Sequence, residues 1–210
     1  MKLSRGSFYI VLLLLAIPLS INALSYLNLD SEYGFLRLKK DAIATGWYLP
    51  AYYAHVLIAA VILLIGFFQI HPTFGLRWRK THRLLGKIYV GGILLFSAPG
   101  GLIMSMFINR GAIVQASFVL QCAIWFLCTW LAYVRIRQRD IQAHRQWMLR
   151  SFALTLAAIT LRVYVFLGSW TFDLAQPASY ATIAWLSWVP NLIICEWYLR
   201  ANNRPILFLK

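Results

Sequence analysis

Residues 51–87 read AYYAHVLIAAVILLIGFFQIHPTFGLRWRKTHRLLGK, and this stretch decides the fold. Its first 20 residues, Ala51–Ile70, contain no Asp, Glu, Lys or Arg. About 20 apolar residues of helix are what the hydrocarbon core of a bilayer requires. The next 17 residues hold Arg77, Arg79, Lys80, Arg83 and Lys87, cations that cannot follow the run into hydrocarbon. A span has ended and a basic loop has begun.

The same alternation runs along the chain. Apolar stretches recur at about Phe8–Tyr26, Ala51–Ile70, Leu84–Phe107, Ile113–Val134, Trp147–Ser169 and Tyr180–Leu199. They predict an all-α integral membrane protein, a six-helix bundle forming a single transmembrane domain over residues 1–210. Between spans one and two, the outer segment Leu27–Pro50 mixes charges with Tyr33, Phe35, Trp47 and Tyr48, a composition suited to a cap at headgroup depth. The short turns Asn109–Ala112 and Thr171–Ser179 make span three an antiparallel neighbour of span four, and span five of span six.

Threading six spans sorts the charges. One side receives Lys2 and Arg5, the five cations after span two, Arg135, Arg137, Arg139, Arg145 and Arg150, and finally Arg200, Arg204 and Lys210. Only Asp140 joins them, so that side carries the whole formal charge of +14. The other side balances Arg37, Lys39, Lys40 and Arg110 against Asp30, Glu32, Asp41 and Asp173. An excess of Lys and Arg marks the cytoplasmic face, so both termini are expected to be cytoplasmic, in a multi-pass protein of the bacterial inner membrane.

A chain 61% hydrophobic and 12% charged is too apolar for an ordinary soluble domain. Its basicity points to anionic lipid headgroups rather than nucleic acid, since no nucleic-acid-binding motif is present. Cys122, Cys128 and Cys195 form no CxxC pair and fall in spans, as buried small side chains do. Lys2 and Arg5 before an apolar run resemble a signal peptide, with Ile21-Asn22-Ala23 a weak cleavage site. The run of about 19 residues favours an uncleaved first span. Pro18, Pro99 and Pro190 interrupt spans, and Pro99-Gly100-Gly101 predicts the severest break. Gly91, Gly92, Gly100 and Gly101 favour close helix approach.

Two segments open with the same pair: His82-Arg83-Leu84-Leu85-Gly86-Lys87-Ile88-Tyr89-Val90, and His144-Arg145-Gln146-Trp147-Met148-Leu149-Arg150-Ser151-Phe152-Ala153-Leu154-Thr155, followed by Arg162. With His55, Gln69 and Arg77 upstream, residues 51–162 resemble the bacterial membrane-protein family catalogued as domain of unknown function 2306. The resemblance implies a polytopic membrane protein and no assigned activity. To cytochrome b561 the chain is similar only in size and span number.

The chemistry must therefore come from the residues. His82 and His144 each open a helix running away from the basic side, at one depth. Two imidazoles on facing helices are the ligand set of a b-type haem, with Arg83, Arg145 and Arg150 available to its propionates. This predicts a membrane electron carrier, with quinone or another redox molecule as partner. His55 and His71 lie on nearly opposite helix faces, about 160° apart, which disfavours a second haem. The bland alternative has the histidines bracing loop–helix junctions. Arg162, past the membrane centre, costs at least about 2.5–3.5 kcal/mol unless partnered or hydrated; Asn191, Gln121, Gln115, tyrosine hydroxyls and Asp173 are the candidates. Gln69 and Glu196 complete the intramembrane polar set, with Glu196 expected to pair with Arg150 or Lys87. Two other readings stay open: a small-solute transporter using Arg162 and the Pro99-Gly100-Gly101 break, and a non-catalytic subunit or lipid-binding protein. No hydrolase triad, phosphate loop or zinc spacing is present.

Overall fold

A computed structural model describes residues 5–71, 73–171 and 176–202; Lys2, Pro72, Asp173, Arg204 and Lys210 lie outside them. The described residues form α1 (Arg5–Leu24), α2 (Lys40–Ala44), α3 (Tyr48–Ile70), α4 (Phe74–Arg77), α5 (Arg79–Gly92), α6 (Ala98–Met106), α7 (Ala112–Arg137), α8 (Ile141–Thr155), α9 (Ala157–Thr171), α10 (Pro177–Leu186) and α11 (Val189–Ala201). No strand occurs among them. Six helical stretches are long and apolar enough to cross a membrane: Tyr9–Asn28, Tyr48–Ile70, Arg79–Met106, Ala112–Arg137, Ile141–Trp170 and Ala178–Ala201. Spans three and five start earlier than the apolar runs alone indicate. The basic turns before Leu84 and Trp147 are already helical, because cationic residues near a helix end can extend into the headgroup region.

Three spans are compound. Between α5 and α6 a π-helical turn, Ile93–Ser97, has the Ala98 N–H reaching back to the Ile93 carbonyl. Pro99, the second residue of α6, withholds its own donor. The predicted break is thus a wide turn just before Pro99. Span five is interrupted at Leu156, and span six at Ser187-Trp188.

Small residues bring α3 against span three. A Cβ on Gly100 would lie 2.6 Å from the Ala51 carbonyl oxygen, and one on Gly92 2.9 Å from Ile62 Cδ1. Gly91, expected to do the same, faces open space. The neighbour pairs expected from the short turns are present, α6 with α7 and α9 with α10. The segment between α1 and α3 closes one end as a cap, with Tyr26, Leu36, Ala42, Tyr48 and Tyr52 as its core. Lys39 Nζ donates to the Phe107 carbonyl at 2.9 Å and ties this cap to the end of α6.

The two halves of the bundle pack differently. Toward the basic end, α8 is central and touches α3, α7, α9 and α11. Leu154 of α8 joins Ile62, Tyr89, Ile93, Trp125 and Trp188 in the main core. Toward the cap end the packed pairs follow one another in a ring, α1–α3–α6–α7–α10–α9 and back to α1. Leu156 is where span five leaves the centre for the rim.

Candidate functional site

A buried polar network registers α5 against α8. The Tyr89 hydroxyl lies 2.9 Å from Thr155 Oγ1 and 3.3 Å from Ser151 Oγ. Trp125 Nε1–H donates to Thr155 Oγ1 at 3.1 Å, and Ser151 Oγ meets Thr129 Oγ1 at 2.8 Å. Tyr89, Ser151 and Thr129 are fully buried.

His82 precedes Tyr89 by seven residues, and His144 precedes Ser151 by seven. Seven residues are about 10 Å and nearly two whole turns, so each histidine shares a face with its network residue. The helices run in the same direction from the basic end, which brings the two imidazoles to one level and within electrostatic range of each other. Each is the fourth residue of its helix. His144 Nδ1 is 2.8 Å from the Ala132 carbonyl. A carbonyl only accepts, so Nδ1 carries the proton and Nε2 keeps its lone pair. His82 Nδ1 is buried without a partner and packs beside Gly75. Neither Nε2 is a buried orphan. Gln69 Nε2 donates to the His82 carbonyl at 3.2 Å, holding the first turn of α5 to α3.

Arg83 and Arg145 are exposed at this end. Arg150 is engaged: Nε and Nη2 meet the two Glu196 oxygens at 2.5 and 3.0 Å, and its guanidinium lies 4.5 Å from the Trp147 ring centroid. Glu196 therefore pairs with Arg150 rather than Lys87. His71 stands apart, with Nδ1 3.0 Å from Thr73 Oγ1.

The other candidates lie toward the cap end. His55 Nδ1 donates to the Ser97 carbonyl at 2.6 Å, beside the π turn, and its ring meets Trp125 edge-on. Its Nε2 also keeps a lone pair. A Cβ on Gly101 would stand 2.7 Å from His55 Nδ1, so the second glycine of the break makes room for this ring.

Arg162 makes no hydrogen bond or ion pair among the described residues. Of the expected partners, Asn191 is committed to Ala153, Thr160 and Ser187. Gln115 donates to Met106, and Gln121 Oε1 is buried with no partner. Asp173 lies outside the described residues. Arg162 is an exposed residue of α9. Tyr180, Tyr52, Tyr26 and His55 are within electrostatic range of it.

Tryptophans are enriched at membrane interfaces, where they act as anchors. Trp170 and Trp197 are exposed as anchors are, but Trp125 and Trp188 are buried, and Trp188 Nε1–H donates to Ser117 Oγ at 2.9 Å. The Tyr89–Ser151–Thr155 network was missed as a site. Its signal was present as hydroxyls at positions 151 and 155, one turn apart. An apolar groove of about 640 Å³ between α9 and α10, lined by Phe166, Trp170 and Leu186, contains none of the candidate residues. No cluster of three metal-ligating side chains exists among the described residues.

No curated protein and no solved structure gives a significant match to this chain. A family model does match, over residues 52–199, described as "Predicted membrane protein (DUF2306)". It reaches from the second residue of the opening stretch to the last turns of span six, taking in both His-Arg helices, Arg162 and Glu196. The chain belongs to this family of predicted membrane proteins.

Proposed function

We propose that the chain is a single six-helix bundle of the bacterial inner membrane, with both termini cytoplasmic, that holds one b-type haem at its cytoplasmic face and carries electrons within the membrane. The orientation rests on the cations gathered at the basic end. Those cations also meet anionic headgroups.

One observation carries the haem reading: two histidines, each fourth in one of two parallel helices, stand at the same level with Nε2 unburdened. The residues fit the group. The Ala132 carbonyl fixes the His144 tautomer and ring angle, as partners of metal-bound imidazoles do. Tyr89 bridges α5 and α8 with its side chain, so the two helices are separated by the reach of a large side chain. Arg83 and Arg145 are the propionate partners; Arg150 is not, because Glu196 occupies it. Haem, when bound, supplies one-electron chemistry. The chain's own part would be to hold two imidazoles and neutralise two carboxylates, with a membrane-soluble molecule such as quinone as redox partner.

The test is an absorption spectrum of protein purified from haem-sufficient cells. A Soret band with a reduced α-band, lost in both His82→Ala and His144→Ala, is expected. A colourless, folded preparation overturns the reading.

A further inference from the structure

A groove on the outer side of span three is separate from the histidine site, and its chemistry does not depend on whether haem binds. It encloses about 320 Å³ between α3 and the stretch that joins α5 to the π turn. Ile58, Val61 and Ile62 form one wall; Lys87, Gly91 and Leu95 run along the other, and Phe96 ends it. Val61, Leu95 and Phe96 are exposed, so the groove opens sideways toward lipid rather than into the bundle.

Gly91 keeps this groove open. A Cβ at Gly92 would meet Ile62 at 2.9 Å and Ile58 at 3.0 Å, so the approach of α3 requires that glycine; a Cβ at Gly91 would meet nothing within 4 Å. Gly91 does not adopt a left-handed backbone either. Glycine is the poorest helix former after proline, and neither packing within the chain nor backbone geometry accounts for one here. What the missing side chain provides is room in the groove.

Lys87 stands at the end nearest the basic loop. The two helical spans that form the walls, Tyr48–Ile70 and Arg79–Met106, contain no Asp or Glu, and Glu196 is engaged by Arg150. The exposed Lys87 ammonium therefore has no counter-charge among the described residues. Lys80, seven residues earlier, repeats the charge on the same helix face. From Lys87 to Phe96 is about 13 Å of helix, close to one leaflet's half of the roughly 30 Å hydrocarbon core. That is the depth reached by one acyl chain descending from a headgroup at the basic end. Within lipid, burying apolar surface gives no driving force of its own, so close packing and headgroup charge decide which molecule stays.

We propose that this groove holds one anionic phospholipid, with its phosphate at Lys87 and one acyl chain laid over Gly91 toward Phe96. Purified full-length protein in detergent is titrated with phosphatidylglycerol, and separately with phosphatidylcholine, while native mass spectrometry counts bound lipid and melting follows stability. One saturable phosphatidylglycerol is expected, with a Kd about fivefold below that of phosphatidylcholine, the effect of one basic residue on an anionic headgroup. Lys87→Gln brings the two Kd values together, and Lys87→Arg keeps them apart. Gly91→Leu weakens both at least about tenfold by taking the place of the chain. The lipid-free Tm of Gly91→Leu does not fall, because leucine favours the helix and its Cβ meets no neighbour. Should Gly91→Leu fail to fold, Val61→Phe fills the groove from α3 and gives the same loss. Equal lipid binding by wild type and the groove-filling variant overturns the proposal, as does an unchanged headgroup preference in Lys87→Gln or the absence of a saturable site. Two further results overturn it by naming another occupant: displacement of the bound lipid by one equivalent of ubiquinone, or a dimer in detergent that dissociates in Gly91→Leu.

Discussion

Thr155→Val should cost this protein more than Tyr89→Phe, although the tyrosine hydroxyl joins more distant elements. The reason is a count of protons. Thr155 donates its hydroxyl proton to the Ser151 carbonyl at 3.0 Å, so the contacts from Tyr89 and Trp125 must both be donations into Thr155 Oγ1. Its single donor and two lone pairs are then all used. Thr129 likewise spends its proton on the Trp125 carbonyl at 2.8 Å, leaving Ser151 to donate to it. In Tyr89→Phe the remaining groups keep their partners: Trp125 still reaches Thr155, and Ser151 still reaches Thr129. The loss is one hydrogen bond, about 0.6–1 kcal/mol by the measure of side-chain bonds within membranes. In Thr155→Val the shape is nearly kept, but Tyr89 O–H must turn to the longer Ser151 contact and Trp125 Nε1–H is left buried without an acceptor. An unsatisfied buried donor costs about 1–3 kcal/mol beyond the bond. Equilibrium unfolding in mixed micelles, or melting followed by near-ultraviolet circular dichroism, measures both. An equal or larger loss for Tyr89→Phe would refute the proton assignment.

Other consequences come from single contacts. Arg150→Gln should lose about 1–2 kcal/mol, between the exposed and buried limits for ion pairs because Glu196 is 39% exposed; a double-mutant cycle with Glu196→Gln should recover part of it. Gly101→Ala should push the His55 ring off the Ser97 carbonyl, since the added carbon would meet Nδ1 at 2.7 Å and Cys122 Sγ at 3.0 Å; a shift in the imidazole nitrogen resonances of His55 would report this. Burial and the nearby Arg110 lower the Lys39 pKa below the ordinary lysine value. The unfolded chain then binds more protons between the lowered value and the ordinary one, so stability rises with pH through that window. Lys39→Gln should remove this rise, read as the difference between wild-type and variant melting curves at alkaline pH.

Much of this fold was written in hydropathy. Six spans, their antiparallel pairing and the capping segment all follow from run lengths, turn residues and charge, because lipid leaves a backbone few choices. The Arg150–Glu196 pair was also legible, as the two charges near the basic end that needed each other. What the sequence concealed was lateral. Nothing in the run Trp147–Ser169 says that span five changes neighbours at Leu156, since an apolar helix facing lipid and one facing a core carry the same letters. For that reason the neighbours of Arg162 could not be read from its position in the run. Gly91 and Gly92 likewise look alike in sequence, and only the packing of α3 against one of them distinguishes their roles.

The interruption at Leu156 ties the histidine site and Arg162 to one cause. On the basic side of it, span five runs through the centre. Its hydroxyls meet Tyr89, Thr129 and Trp125 there, and the resulting network fixes His144 level with His82. Beyond it, the same helix departs to the rim, between α1 and α10, and carries Arg162 there. Held at the rim throughout, span five would lose the network. Thr160 secures the divergence by donating to the Ser187 carbonyl, with Asn191 bonded to Ala153, Thr160 and Ser187 across the break. Span six is interrupted at the same level, so its carbonyls are free to accept these bonds. The paired interruptions are thus one structural feature, and residues that touch neither site, Thr160 and Asn191, hold both in place.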